Sequence, residues 1–539
     1  MILPLSMYSD VLVAGSGIAG LMAALEAAEV GCTVTLLTSA RLFSGSSFYP
    51  GTWGLGLIGP ENADDRADLR ESIQRVGCNM ATPEMVEAFV NGIHPAIEKV
   101  RGMGVRLRRA VQKDQREFIP CFDHKGRDWN GLEFDSVREV FSDRIRELGI
   151  QVLEGCELLQ LVQSAGRICG CVVRRDAELQ YLGCGSLILA TGGYGSLFRY
   201  HLCTDDVMGT GQALALDAGC TLVNMEFMQM MPGYIQPAPK TVFNEKTFRY
   251  VHIKKADGEP LFPADAHTEH LLDVRSGHGP FTTRLDSKYV DLAIFEDFLR
   301  DPRGVEITYT DALRQEPPEF VTTYFDWLKQ AKGLTMDDPI HVGIFAHAAN
   351  GGIRITPDGF TGVPGLYACG EVTGGMHGAD RIGGLSTANG LTFGILAGRS
   401  AARDSHPGSA CPGMWEICEL GLSSEQKILP QIQNLMYQSA MIGRNESELT
   451  CALEQLQAME NHLVPEKTED ADAIARFLRT KLQIKTARSI LSAAQLRRES
   501  RGSHSRSDYP VQDSRLEKQI YITLKNGIPN AVFADGSGS

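Results

Sequence analysis

Residues 10–38, DVLVAGSGIAGLMAALEAAEVGCTVTLLT, admit very few folds. Asp10–Ala14 is a short apolar run of strand character. The glycine-rich GSGIAG follows at once. Leu21, Ala24, Leu25 and Ala28 then recur at helical spacing, Gly31 ends the helix, and Val34–Leu37 forms a second strand. In a strand–turn–helix of this kind Gly15 permits the sharp turn. Gly17 lets a pyrophosphate approach the backbone, and Gly20 lets helix pack on strand. The amides at Ile18 and Ala19 bring the partial positive charge of a helix N-terminus to the phosphates. Thr38 and Ser39 stand where an acid usually ends the second strand, so a ribose contact must be made differently.

Two further strand-to-glycine junctions point to the same ligand. Ser186–Leu189 runs into Ala190-Thr191-Gly192-Gly193, and Leu366–Ala368 into Cys369-Gly370-Glu371. Three such junctions predict strand ends gathered around one extended ligand. The third opens ACGEVTGGMHGADRIGG, residues 368–384, where two acids, a histidine and an arginine stand among six glycines. Such glycine density implies a ligand lying close to the backbone, with the polar side chains turned toward it.

Composition bounds the remaining choices. The chain has 539 residues, enough for two or three domains, and a formal charge of −14, which disfavours nucleic acid as the main partner. Its thirteen cysteines are scattered, with Cys169-Gly-Cys171 the nearest approach to a ligand spacing. That pattern suits reduced thiols in a cytoplasmic setting and predicts no metal or iron–sulfur site on this chain. No stretch is apolar for long enough to span a bilayer, and MILPLSMYSD does not resemble a secretory leader. The terminal GSGS carries no structural expectation.

The motifs together resemble the flavoprotein subunits of succinate dehydrogenase and fumarate reductase and their relative L-aspartate oxidase. The resemblance runs from GSGIAG through GSSFYPGTWGLG at 45–56, LILATGGYG at 187–195 and NMEFMQMMP at 224–232. It continues with HAANGGI at 347–353, PGLYACGEV at 364–372, HGADRIGG at 377–384 and RRESRGSHSRSDYP at 497–510. It implies an α/β architecture: a doubly wound FAD-binding domain in two segments, 1–228 and 346–410. An inserted α+β capping domain at 229–345, a helical domain at 415–510 and a C-terminal extension at 511–539 complete it. It also implies that Glu371 bonds the ribityl chain, that Ser386 lies beside the flavin, and that Arg381 and His347 grip a substrate carboxylate while His377 holds the loop. Ser46-Ser47-Phe48-Tyr49 replaces the segment whose histidine links FAD in succinate dehydrogenases, so non-covalent FAD is expected.

For proton transfer the candidate is Arg284, with Arg275 as the alternative. Two departures bear on substrate. Met231 stands where the family has a substrate-binding histidine, and Phe248–His252 replaces the segment carrying its proton-relay glutamate. A site without those polar groups should reject a C4 dicarboxylate. The expected activity is therefore hydride transfer between flavin N5 and a carbon next to a carboxylate, by a dehydrogenase or enoate reductase. An L-aspartate-oxidase-like amino-acid oxidase and a flavin-bearing electron-transfer subunit are the alternatives, and an electron-transfer partner protein is compatible with all three. Near the C-terminus Asn445 and Glu448 read as a helix cap, with Leu449, Leu453 and Leu456 as an apolar face. Arg497, Arg498 and Arg501 read as a solvated helix end or a docking patch, and Arg106–Arg109 as solvated.

Overall fold

A computed structural model describes residues 1–405 and 411–534. The end of the expected second FAD-binding segment, 406–410, and the terminal 535–539 with their Gly-Ser run lie outside the described residues. The central sheet runs Gln151–Leu153, Val34–Leu37, Ile2–Ala14, Glu178–Leu189, Arg167–Arg175, Glu157–Ser164. Leu366–Ala368 also pairs with Glu178–Leu189, in parallel. The parallel strands end together at Leu153, Leu37, Ala14, Leu189 and Ala368. Their carboxyl edges make the crevice in which a doubly wound sheet binds ligand.

The first strand is longer than its apolar core suggests. It begins at Ile2, and residues 2–9 mix exposed and buried positions before the fully buried Val11–Ala14. The early half is held by Met414–Glu416 on one side and by Tyr181–Cys184 on the other. The helix Ile18–Glu29 is buried almost all round and packs against Leu385–Asp404. Gly390, Gly394 and Gly398, spaced four apart, let the two backbones approach, since an added Cβ would stand 2.8 Å, 2.7 Å and 2.5 Å from the first helix.

Met228–Gln236, Ile340–Ala349, Val305–Tyr309 and Val251–Lys254 form an antiparallel sheet over the crevice, accompanied by helices between 266 and 332. Residues 520–533 form a hairpin joined to Leu222–Val223, within a five-stranded sheet. Three helices follow the crevice strands: Ile428–Ser439, Glu446–Asn461 and Ala471–Leu496. Asn445 caps the second, its Oδ1 accepting from Glu448 N at 3.0 Å, with Leu449 and Leu456 buried beneath and Leu453 half-buried. Among the described residues no helix is long and apolar enough to cross a membrane.

The arginines after the last helix correct the sequence expectation. Arg497 and Arg501 are fully buried, and only Arg498 is exposed. Glu499 accepts from Arg497 Nη1 at 2.9 Å and from Arg501 Nε at 2.7 Å, while Glu226 answers Arg497 Nε at 2.7 Å. Neither a solvated helix end nor a docking patch survives that arrangement. These arginines tie the C-terminal segment to Glu226, 271 residues earlier. Glu499→Ala should therefore leave two interior guanidinium groups short of a counter-charge, at a cost of about 3–5 kcal/mol. Thermal denaturation reads this as a lowered melting temperature, and an unchanged value would refute it.

Candidate active site

One large cavity, about 590 Å³, follows the strand ends and continues beneath the antiparallel sheet. Its long arm is lined by Gly15, Gly17, Ile18, Ala19, Thr38, Ser39, Ser46, Ser47, Ala190, Thr191, Gly192, Gly370, Glu371 and Ser386. Gly20 packs instead of lining, because a Cβ there would lie 1.9 Å from Gly15 O. Gly15 has φ +119°, and its own Cβ would lie 2.1 Å from Ala190 O. Both positions thus require glycine. The helix beginning at Ile18 has no side-chain cap at Gly17, and Ser47 Oγ accepts from Ile18 N at 3.1 Å. Ser39 donates to Asp206 at 2.6 Å, so a carboxylate from a distant loop stands by the end of the second strand.

This arm fits a dinucleotide. It offers the helix N-terminus at Ala19 for phosphate, the Ile18 amide being taken by Ser47 Oγ. It also offers buried polar atoms without a protein partner, Thr191 Oγ1 and Asn389 Oδ1 among them. Glu371 accepts from Ala349 N at 2.9 Å, and burial raises its carboxyl above the usual range. That places a hydrogen-bonding carboxyl beside Gly370, where the backbone is tight.

The short arm holds His347, His377, Arg381, Met231, Val242, Cys121 and Glu245. Arg381 donates Nε to Gln229 Oε1 at 3.0 Å. Among the described residues no carboxylate makes a salt bridge with it, although it is only 8% exposed. Its neighbour Asp380 pairs elsewhere, with Arg284 Nε at 2.7 Å and with Thr282 Oγ1 at 2.7 Å. Adjacent in sequence and opposite in charge, Arg381 and Asp380 nevertheless form no pair. His347 is lowered to about 4, chiefly by burial and then by the Arg381 charge. His377 is held well below the imidazole range for the same two reasons. Both rings are therefore neutral near pH 7, and Arg381 supplies the standing positive charge of this arm.

The two arginines considered for proton transfer lie outside this cavity. Arg284 sits behind Asp380, over the Phe122 ring at 5.0 Å, and opens on a separate surface cleft with Arg70, Arg75 and Asn79. Arg275 is fully buried against Asp291 at 2.9 Å and donates to Gly279 O at 2.8 Å, bracing the loop that precedes Arg284.

Sequence comparison and structure comparison agree on the kinship of this site. The family model described as FAD binding domain matches residues 10–387, and the one described as fumarate reductase flavoprotein C-term matches 430–526. The chain belongs to the succinate dehydrogenase and fumarate reductase flavoprotein family. It is 27% identical to a protein named L-aspartate oxidase from Streptomyces coelicolor, across 96% of this chain and 92% of that one. It is 26% identical to a fumarate reductase (CoM/CoB) polypeptide of Methanothermobacter marburgensis, across 96% and 97%. The structure of Mycobacterium smegmatis Sdh1 in complex with UQ1 superposes with TM-score 0.81 at 23% identity, covering 98% of this chain and 94% of that chain. Fold and family together make this chain an FAD-dependent oxidoreductase.

Two cavity residues carry no signal in the sequence motifs. Glu245 stands three residues before Phe248–His252, the segment expected to have lost the family's glutamate, and so a carboxylate is present after all. It accepts a hydrogen bond from Cys121 Sγ at 2.9 Å. Cys121 lies in a loop, 116–131, whose sequence carries no motif. Burial and then the Glu245 charge push its thiol up to about 12. It thus stays protonated and donates to the carboxylate.

His347 gives a pH signature. Its folded value of about 4 lies below the unfolded value of about 6.5. The unfolded chain therefore binds the extra proton first, and stability falls as pH drops through that window. The melting temperature of wild type should fall more between about pH 7 and about pH 5 than that of His347→Gln, which has no such proton to take up. Parallel profiles would overturn the assignment.

Proposed function

We propose that this oxidoreductase transfers hydride at a carbon next to a substrate carboxylate, and that its substrate is not a C4 dicarboxylate. The single observation behind this reading is Arg381, a buried guanidinium facing the cavity with no salt bridge among the described residues, Glu371 acting on it only through space. Keeping a charge inside without a paired counter-charge is costly, so the site favours an anion strongly. A planar fork suits a carboxylate, and neutral His347 adds a hydrogen bond. FAD, when bound, supplies the hydride acceptor or donor. Thr38, Ser39 and Asp206 would serve its ribose, Glu371 its ribityl chain, and Ser386 would lie beside the flavin. Ser46 and Ser47 provide no nucleophilic histidine, which supports non-covalent attachment. Thirteen free thiols fit a reducing compartment.

On the cavity wall Met231 packs with Tyr49, Leu202, Val242 and Phe345 in an apolar cluster. A second carboxylate placed there would lose its hydration without compensation. Glu245 is the titratable group positioned to take or give a proton at the substrate, with the Cys121 thiol holding its carboxylate. Arg284 acts through Asp380 and sets the loop that carries Arg381. A second reading rests on Glu245 as well: a carboxylate here would also pair with an α-ammonium group, as an amino-acid oxidase requires.

Anaerobic flavin spectroscopy separates the two. Reduced holoenzyme reoxidised by enoates supports the first reading, whereas bleaching of the oxidised form by amino acids supports the second. Silence toward every carboxylate refutes both. Arg381→Gln should raise the half-saturating carboxylate concentration by at least about 30-fold. Glu245→Gln should lower kcat by about 100-fold or more with little change in KM. Acid precipitation should release all of the yellow chromophore into the supernatant, and colour retained in the pellet would contradict non-covalent binding.

A further inference from the structure

We propose that a second, aromatic chamber beside the active site receives the far end of the substrate, which is therefore a carboxylate bearing an aryl or similarly flat apolar group. This rests on the reading of Arg381 as carboxylate anchor. The chamber, about 240 Å³, adjoins the main cavity. Gly54, Gly56, Gly383 and Gly384 line both spaces, together with Trp53, Leu55, Cys121 and Glu245. Glycine thus makes half of the doorway. Gly383 and Gly384 follow Arg381 by two and three residues, so the anchor stands beside the opening.

The walls are aromatic. Trp53, Phe118, Trp129, Phe134 and Phe320 line the chamber, and they include two of the four tryptophans in the chain. Phe118 meets Trp129 edge-on at 5.4 Å and Phe320 at 5.5 Å, while Trp53 meets Phe320 edge-on at 6.0 Å. Such a set of rings offers faces and edges to a further flat group. Arg108 is exposed, as expected, and also lies over the Trp129 ring at 5.3 Å. The charged groups of the lining are Arg108 and Lys246 against Glu117, Glu133 and Glu245. They create no positive field for a second carboxylate, and Lys246 Nζ already donates to Ile119 O at 3.0 Å. An apolar tail satisfies this room and an anionic one does not.

Gly56 keeps the doorway open. A Cβ there would stand 3.7 Å from Trp129 Nε1 and 3.9 Å from Gly384 Cα, in contact on both sides, so a larger side chain enters the passage.

The test titrates FAD-loaded enzyme under nitrogen with but-2-enoate, fumarate and 3-phenylpropenoate while recording the flavin absorbance. 3-Phenylpropenoate is expected to half-saturate the spectral shift at a concentration at least tenfold or so below but-2-enoate, with fumarate weakest. Gly56→Val, checked for retained FAD, should bring the two monocarboxylates within about threefold of each other. Equal half-saturation of the two in wild type overturns the chamber alone. No response to either overturns the anchor at Arg381 and the chamber with it.

Discussion

A positive charge held in the interior with no salt bridge among the described residues governs this architecture. Arg381 reaches that state because the loop carrying it is gripped from three sides. Ala379 N donates to Gly77 O at 2.9 Å, and Ala379 O accepts from Ser503 Oγ at 2.8 Å. Thr282 and Arg284, from beneath the antiparallel sheet, hold Asp380. The end of the helix Ala63–Val76, the loop carrying Thr282 and Arg284, and the C-terminal segment therefore all contribute to the position of one guanidinium. The desolvation of that group is met during folding, so on the proposed reading an arriving carboxylate would find a preorganised partner and not a hydrated side chain that must first be ordered.

The charges around it leave it without a salt bridge, Glu371 acting on it through space alone. Asp380, the nearest acid in sequence, is turned away into its own ion pair with Arg284. Glu245 is occupied by a thiol proton from Cys121. The two histidines of this arm are kept neutral by burial and by Arg381 itself. Adding a third full charge would serve no purpose here, since a neutral imidazole still donates a hydrogen bond while leaving the guanidinium as the dominant source of field.

The chain alone makes legible the chemistry written in contiguous residues. GSGIAG, the three strand-to-glycine junctions and the loop 377–384 need only local geometry, and the cavity brings their residues together. Long-range pairing is not legible in this way. Arg497 and Arg501 look like a basic helix end because Glu226 lies 271 residues away and the turn that inserts Glu499 between them leaves no periodic trace. Glu245 hides behind a shift of three residues, within a segment whose short 3-10 helix lacks any hydrophobic period to fix the register. Arg284 stands out in the sequence for its neighbours Leu285 and Asp286, yet its partner is Asp380, 96 residues further on. Cys121 and Trp53 sit outside helices and strands, while Trp129 lies on the strand Asp128–Leu132 and Phe134 and Phe320 in the first turns of two helices, so that only tertiary placement brings these rings together.

The ribbon Met228–Gln236 with Ile340–Ala349 explains how such a site can change substrate without losing its anchor. Gln229 and Met231 are two residues apart, and Gln229 pairs across the ribbon with Ala348, next to His347. One strand thus carries both the group that orients Arg381 and the apolar Met231, while its neighbour carries His347. The hydrogen bond from Arg381 to Gln229 does not involve residue 231, so a change of side chain there leaves that bond in place. On the proposed reading, the group that holds a carboxylate and the residues that select the rest of the substrate are therefore separable on this scaffold.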